Sequence, residues 1–382
     1  MLQHIPQWLS RVAARWVRSA STDGAKAARR FVPRLEALEE RDVPALLATT
    51  PVPVGADPRG VVVADFNGDG KPDLFAIGED STFTCALGSG NGHFTKSQSA
   101  GIGGPHIALT VLDYSGDGTL DVAAVNIQDD YVRLLAGDGK GHFSNGGTIT
   151  VGDAPNAVVA KDVNKDGIKD LVISCGGDDS VSILFGNGNG GYTPTVVPMG
   201  GSPSSVLVID LNKDGNKDLV APNYFAGTIT VRRGNGDGTF KDPKTFAVGS
   251  TPSAVAVGDF NGDGNRDLAV TSALGDSVNV LLGKGDGTFQ HFKGFTVGDT
   301  PAAVAVGDFN HDGKKDLAVA NLGSDTVSVR YGKGNGSFKA PLTLVVGDQP
   351  DSLAVGDFNH DGKQDLAVAN KLDGNLFIFL QH

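Results

Sequence analysis

"DFNGDGKPD", residues 65–73, decides the fold. Asp or Asn stands at every second position, glycine interrupts the run, and one more Asp closes it. Asp65, Asn67 and Asp69 can turn side-chain oxygens inward. Gly70 permits a tight turn, the carbonyl of Lys71 can add a ligand, and Asp73 can complete the shell. Calcium takes roughly six to eight such oxygens in a flexible geometry. A single copy would also suit an ordinary turn, because Asp, Asn and Gly favour turns on their own.

The stretch occurs seven times. In each copy positions one, three, five and nine offer side-chain oxygens and position seven offers a carbonyl. The second set is Asp113, Ser115, Asp117, Thr119 and Asp121, and the third is Asp162, Asn164, Asp166, Ile168 and Asp170. The fourth is Asp210, Asn212, Asp214, Asn216 and Asp218, and the fifth is Asp259, Asn261, Asp263, Asn265 and Asp267. The last two are Asp308, Asn310, Asp312, Lys314 and Asp316, then Asp357, Asn359, Asp361, Lys363 and Asp365. Up to seven Ca²⁺ ions are therefore expected. Successive first aspartates lie 48 or 49 residues apart. A fixed period of about 20–50 residues marks a solenoid, propeller or array.

Two further motifs keep the same period. A Gly-x-Gly-x-Gly-x-aromatic turn begins at Gly88, Gly137, Gly186, Gly234, Gly283 and Gly332. A Val-Gly-x-x-Pro step begins at Val54, Val151, Val248, Val297 and Val346, with looser versions at Ile102 and Met199. In the second copy Pro105 is displaced by one place. Between these markers run short, Val-rich apolar segments bounded by Gly, Pro, Asn and Asp, which read as strands. The fifth unit shows four: "SAVAVGDF", "DLAVTS", "SVNVLLG" and "HFKGFTVG". Four strands per unit match a propeller blade. The glycine-rich strings join strand to strand and recur, so they read as hairpins and not as dinucleotide-binding turns, which join a strand to a helix. The fold expected is all-β: a seven-bladed β-propeller over residues 46–382.

The ring also needs a closure. The last unit ends at "FIFLQH" without an outer strand, and "ATTPVPVG", residues 48–55, is a spare one. The spare segment is expected to pair with residues 375–381, since an unpaired edge is a liability.

The chain has 32 Lys/Arg and 44 Asp/Glu; 8 and 5 of these precede residue 46, which leaves 24 and 39 in the repeats, a net charge of −15. Twenty-one of the 39 acids are the loop aspartates, and Glu79 is the one glutamate among them. The acidity therefore reads as metal ligation, and seven Ca²⁺ would bring the domain to about −1. No basic stripe for nucleic acid is present. Cys85 and Cys175 sit at non-equivalent places in different units and read as free thiols. No run of about 18 apolar residues suggests a membrane span. Residues 1–45 differ in kind: "LQHIPQWLSRVAARWVRSA" is basic and carries both tryptophans, Trp8 and Trp16, as a disordered or loosely helical leader.

The seven units resemble FG-GAP/VCBS-type repeats, the calcium-bearing blades of the integrin alpha propeller and of many bacterial surface proteins. The resemblance covers about residues 46–382. It implies a seven-bladed propeller with one Ca²⁺ per loop, and Ser115 departs from its pattern. "RLEALEERDVPA", residues 34–45, resembles a leader of many exported planctomycete proteins. That likeness implies a secreted or cell-surface protein of a bacterium. An EF-hand is excluded by the lack of a glutamate at position twelve, where Ala76 and Val270 stand.

The function expected is a calcium-dependent module, monomeric, that docks a protein or a glycan. A polysaccharide lyase or hydrolase on the same scaffold is the alternative. Even spacing leaves no blade with an inserted loop for a grafted active site. Tyr224 and Phe225, in the turn "NYFAG", are the expected partner anchors, where other units have "GGDD" or "LGSD".

Overall fold

The computed structural model describes residues 46–381. The expected leader, residues 1–45, lies outside them. The described chain forms seven antiparallel sheets that meander from an inner to an outer strand, arranged as a closed ring. In the fifth blade the strands are Pro252–Gly258, Asp267–Ser272, Ser277–Leu281 and Lys293–Thr296. Among the described residues the one helical element is the three-residue 3₁₀ turn Ala273–Gly275.

Every second strand is buried along all six residues. Successive side chains of a strand point to opposite faces, so both faces of these strands must be covered. Neighbouring blades cover them. Leu268 and Val270 pack with Val220, Ile229 and Val231 of the fourth blade. Ala269, between them, packs with Leu317 and Val319 of the sixth. The described residues thus form seven inter-blade cores and no central one. That is why these strands read as continuous apolar runs instead of alternating ones. Cys85 and Cys175 are buried in two different cores as free thiols.

The proline step turns each chain into its next inner strand. The residue before the proline takes a left-handed backbone, as Asp57 (φ 51°), Thr251 (φ 46°) and Gln349 (φ 55°) do. Its carbonyl then accepts an N–H from the turn between the second and third strands. Glu79 donates to Asp57, Ala273 to Thr251 and Lys371 to Gln349. In the second blade Gly103 (φ 72°) and Gly104 (φ 75°) are left-handed, Pro105 follows them, and His106 stands where the other blades have proline. His106 is fully buried; its Nδ1 lies 2.8 Å from the Gly104 carbonyl and its ring meets Tyr131 edge-on. Burial pushes its pKa down to about 4.

The ring closes as expected. Leu46–Ala48 and Val52–Pro53 both pair antiparallel with Asn375–Gln381, with Leu46 opposite Gln381 and Val52 opposite Leu376. Leu46 enters the core between the sixth and seventh blades, while Val52 and Val54 enter that between the seventh and first. Deleting residues 46–56 removes three buried side chains and exposes a strand edge. The melting temperature should fall by about 10 °C or more in calorimetry; a shift of a degree or two would refute the closure.

A second test uses pH. In the fold His106 is neutral down to about pH 4, whereas in the unfolded chain it protonates near its ordinary value of 6.5. The unfolded state therefore binds the extra proton between those values, and stability is lost as pH falls through that window. Relative to His106→Asn, the wild type should lose up to about 1.4 kcal/mol per pH unit there. Parallel pH profiles of denaturant unfolding for the two proteins would disprove it.

Candidate metal loops and the two faces of the ring

Each loop between first and second strands is built from hydrogen bonds to its own amides. In the fifth blade Asp259 accepts from the N–H groups of Gly262 (2.7 Å) and Gly264 (2.8 Å). Asn261 Oδ1 accepts from Asp263 N–H at 3.1 Å, and Asp263 Oδ1 from Asn265 N–H at 2.8 Å. Two left-handed residues bend the chain, Gly262 (φ 75°) and Gly264 (φ 77°). Position six is glycine in all seven copies. Position four tolerates Lys165, Lys213, His311 and His360 in the same conformation, with φ of 57–64°. Amide donation also holds the Asp263 carboxyl, at position five, below the usual carboxylate range.

Position nine does something different. Asp267 is fully buried. One oxygen accepts from Phe260 N–H at 2.8 Å, and the other from Gly283 N–H, the first glycine of the hairpin, at 2.7 Å. The same two bonds recur from Asp73, Asp121, Asp170, Asp218, Asp316 and Asp365. Each buried carboxylate thus clamps the loop to the third strand of its own blade. Burial raises these pKa values, to about 6 for Asp316 and Asp365, and the two amide bonds pull the other way. The clamp also explains the hairpin's first glycine. A Cβ at Gly283 would lie 2.1 Å from the Arg266 carbonyl, and one at Gly137 or Gly234 would meet the equivalent carbonyl at the same distance. In the seventh blade Gln381 donates the bond instead.

The hairpin's later glycines act between blades. Gly141 donates its N–H to the Phe66 carbonyl, Gly190 to Tyr114, Gly336 to Phe260 and Gly92 to Phe358, each reaching the metal loop of the preceding blade. Sequence reading identified the hairpins but missed both roles. The signal was present, since the hairpin glycine follows the ninth-position aspartate by 15 or 16 residues in six blades.

The expected ligands of each loop are therefore close in the chain and in space, all of them oxygen donors suited to a hard cation. Positions one, three and five lie towards solvent, and position nine lies in the blade. Among the described residues no three Asp, Glu, His or Cys side chains converge on one point. Ser115, in the second loop, turns its hydroxyl towards Asp113 at 3.4 Å and is the shortest of the donors at position three.

An antiparallel meander puts loops and hairpins at one end of every blade and the other turns at the opposite end. The second face thus carries the proline steps, the turns between second and third strands, and the mouth of the axial channel. Tyr224 lines that mouth, while Phe225 beside it is 81% exposed. Their rings stand perpendicular, with centroids 5.3 Å apart. The turn "NYFAG" is tied down by Asn223, whose amide donates to Thr228 and Thr230.

The FG-GAP-like repeat pattern matches residues 65–124, 113–173, 162–221, 218–270, 259–319 and 308–368. The chain belongs to the FG-GAP-like repeat family. Each match runs from the neighbourhood of one metal loop into the next blade, so the family unit is the junction between blades as much as the blade itself. No curated protein matches the chain. Solved structures share the fold at low identity. BBS1N, in complex with ARL6DN, has a TM-score of 0.65 at 13% identity, over 88% of this chain and 97% of that one. An Agrocybe aegerita lectin that recognises non-reducing terminal N-acetylglucosamine has 0.54 at 20%, over 85% and 96%. The virginiamycin B lyase of Staphylococcus aureus, as a catalytically inactive variant with quinupristin, has 0.58 at 16%, over 88% and 98%.

The FG-GAP loop thus separates two duties that mutagenesis can part. Asp267→Asn places an NH₂ against one of two buried N–H donors and should destabilise even the chelator-treated protein by about 1–3 kcal/mol. Asp263→Asn keeps an oxygen for Asn265 and should change the chelator-treated protein by less than about 0.5 kcal/mol. Denaturant titrations in EGTA read both. Equal effects would contradict the division.

Proposed function

We propose that this FG-GAP protein is a non-catalytic binding propeller, stiffened by calcium and working outside or on the surface of a bacterial cell. Positions one, three, five and nine of each loop, with the carbonyl at seven, hold up to seven Ca²⁺. The ion supplies positive charge to a loop that otherwise gathers three aspartates, and it fixes the loop's path. A fixed loop loses less ordering entropy when a partner docks. The observation that carries the binding reading is the Tyr224–Phe225 pair, one ring at the channel mouth and the other bare to solvent on the face away from the metal loops. Exposed aromatics of this kind are interface anchors. The company of a lectin and of a propeller in a protein complex among the structural relatives fits a docking role for a protein or a glycan.

A polysaccharide-active enzyme is the second reading; the virginiamycin B lyase among the structural relatives supports it only in that a similar fold carries an active site there. It forecasts turnover: release of reducing or unsaturated ends from a polysaccharide panel, abolished by one substitution outside the metal loops. The binding reading forecasts saturable capture without turnover.

Native mass spectrometry of the protein in calcium should count seven ions, and EGTA should lower the melting temperature steeply. A site held at 100 times its dissociation constant contributes roughly 2.7 kcal/mol. Two ions or fewer, or a melting point indifferent to EGTA, would reject the calcium assignment. Replacing Tyr224 and Phe225 together by alanine should weaken the partner without altering calcium content or melting temperature.

A further inference from the structure

The blades repeat closely at their loops, hairpins and proline steps, yet the residue that follows the proline differs around the ring. In order it is Arg59, Ile107 (after His106), Asn156, Ser204, Ser253, Ala302 and Asp351. All seven line one cavity of about 360 Å³ at the axial mouth, and Tyr224 lines it with them. A strictly repeated residue here would make the mouth seven-fold symmetric. The actual set makes it asymmetric, as recognition of an asymmetric molecule requires.

Part of this ring serves the scaffold. Asn156 Nδ2 donates to the Pro203 carbonyl at 3.1 Å, Ser204 Oγ to Pro252 at 2.8 Å and Ser253 Oγ to Pro301 at 2.8 Å, each joining one blade to the next. At the seam between first and last blades Arg59 Nε lies 2.7 Å from Asp351, and Arg59 Nη1 lies 2.9 Å from Glu79. Lys371 Nζ reaches the same glutamate at 3.4 Å. Two cations and two acids sum to zero.

What these bonds leave over is the chemistry of the mouth. Ser204 gives its proton to Pro252, so its oxygen is left as an acceptor, and Asn156 keeps Oδ1 free. Arg59 Nη1 donates to Glu79 and Nε lies against Asp351, which leaves donors over. Val61, Leu109 and Ala157 form apolar wall between these groups. We propose that the axial mouth is a saccharide site that takes the neutral, hydroxyl-rich end of a glycan, with a sugar ring against Tyr224. This rests on reading the face as the binding face. Hydroxyls donate and accept at once, and so satisfy both the Ser204 and Asn156 oxygens and the Arg59 donors. A charged ligand would find no opposite net charge to meet it. The volume lies at the small end of the range for ligand cavities, about 300–1,000 Å³, which suits a chain end.

The test is an array of neutral, sialylated and sulfated glycans probed with the full chain in calcium. Calorimetry then follows with the best-binding free oligosaccharide. Neutral glycans should bind. Tyr224→Ala should weaken them by about tenfold or more. Ala302→Trp, which puts an indole into the mouth in the blade beside Asp351, should abolish binding, and Val196→Trp on an outer strand should not. If Ala302→Trp lowers the melting temperature, Ser205→Trp reads the same site. Binding that survives both tryptophans, or binding of charged glycans alone, overturns the proposal and leaves the binding module intact. Absence of any glycan binding, with a protein partner lost on replacing Tyr224 and Phe225, also overturns it. Absence of both fails the module as well.

Discussion

The rest of the structure depends on a carboxylate buried in every blade and satisfied by two backbone amides. An anion taken out of water is costly unless it is paired or hydrogen-bonded. Asp267 resolves this by accepting from Phe260 at the start of the loop and from Gly283 at the start of the hairpin. The two donors are far apart in sequence and adjacent in space, so the carboxylate fixes how the second strand lies between its neighbours. It also fixes what may stand at the hairpin, because a side chain at Gly283 would meet a carbonyl. The recurring first glycine of the hairpin is a consequence of that geometry.

Neighbours alone contact neighbours in such a repeat, so stability is a sum of adjacent interfaces. Closure turns the two ends into a seventh interface. Its blades come from opposite ends of the chain, and it is where the molecule departs from its own pattern. The outer strand is borrowed from Leu46–Ala48 and Val52–Pro53, Gln381 replaces the hairpin glycine, and Arg59 meets Asp351. An ion pair whose partners must both be present also opposes closing the ring one blade early or late, because no other pair of blades in the ring offers an arginine to an aspartate after the proline step.

How much of this was legible in the sequence follows from the range of each interaction. The second strand of the fifth blade, Asp267–Ser272, coincides with "DLAVTS", and the closing segment appears within two residues of its expected start. Both are written in adjacent residues. The order of oxygen donors in the loops is likewise local. The clamp was harder to see: its 16-residue spacing is visible, but which atoms meet depends on how the hairpin folds over the loop. The displacement of Pro105 by one place is visible in the sequence, yet only the register shows that His106 replaces a proline. The axial ring was invisible, since residues about 48 apart share a cavity only once all seven blades have closed.

One strand links the two ends of the proposed mechanism. In the fourth blade Asp218–Asn223 begins at a clamped carboxylate and ends next to Tyr224. Its six residues are all buried, which leaves no room for local bending. At about 3.3 Å per residue the strand spans roughly 20 Å, the height of the ring from the loop face to the opposite face. Whatever holds Asp218 therefore sets where Asn223 stands, and Asn223 in turn pins its turn through Thr228 and Thr230. The proposed calcium on the far face would need no switch or moving part to matter for the aromatic pair: it would act by keeping a short, fully packed strand from sliding between its neighbours.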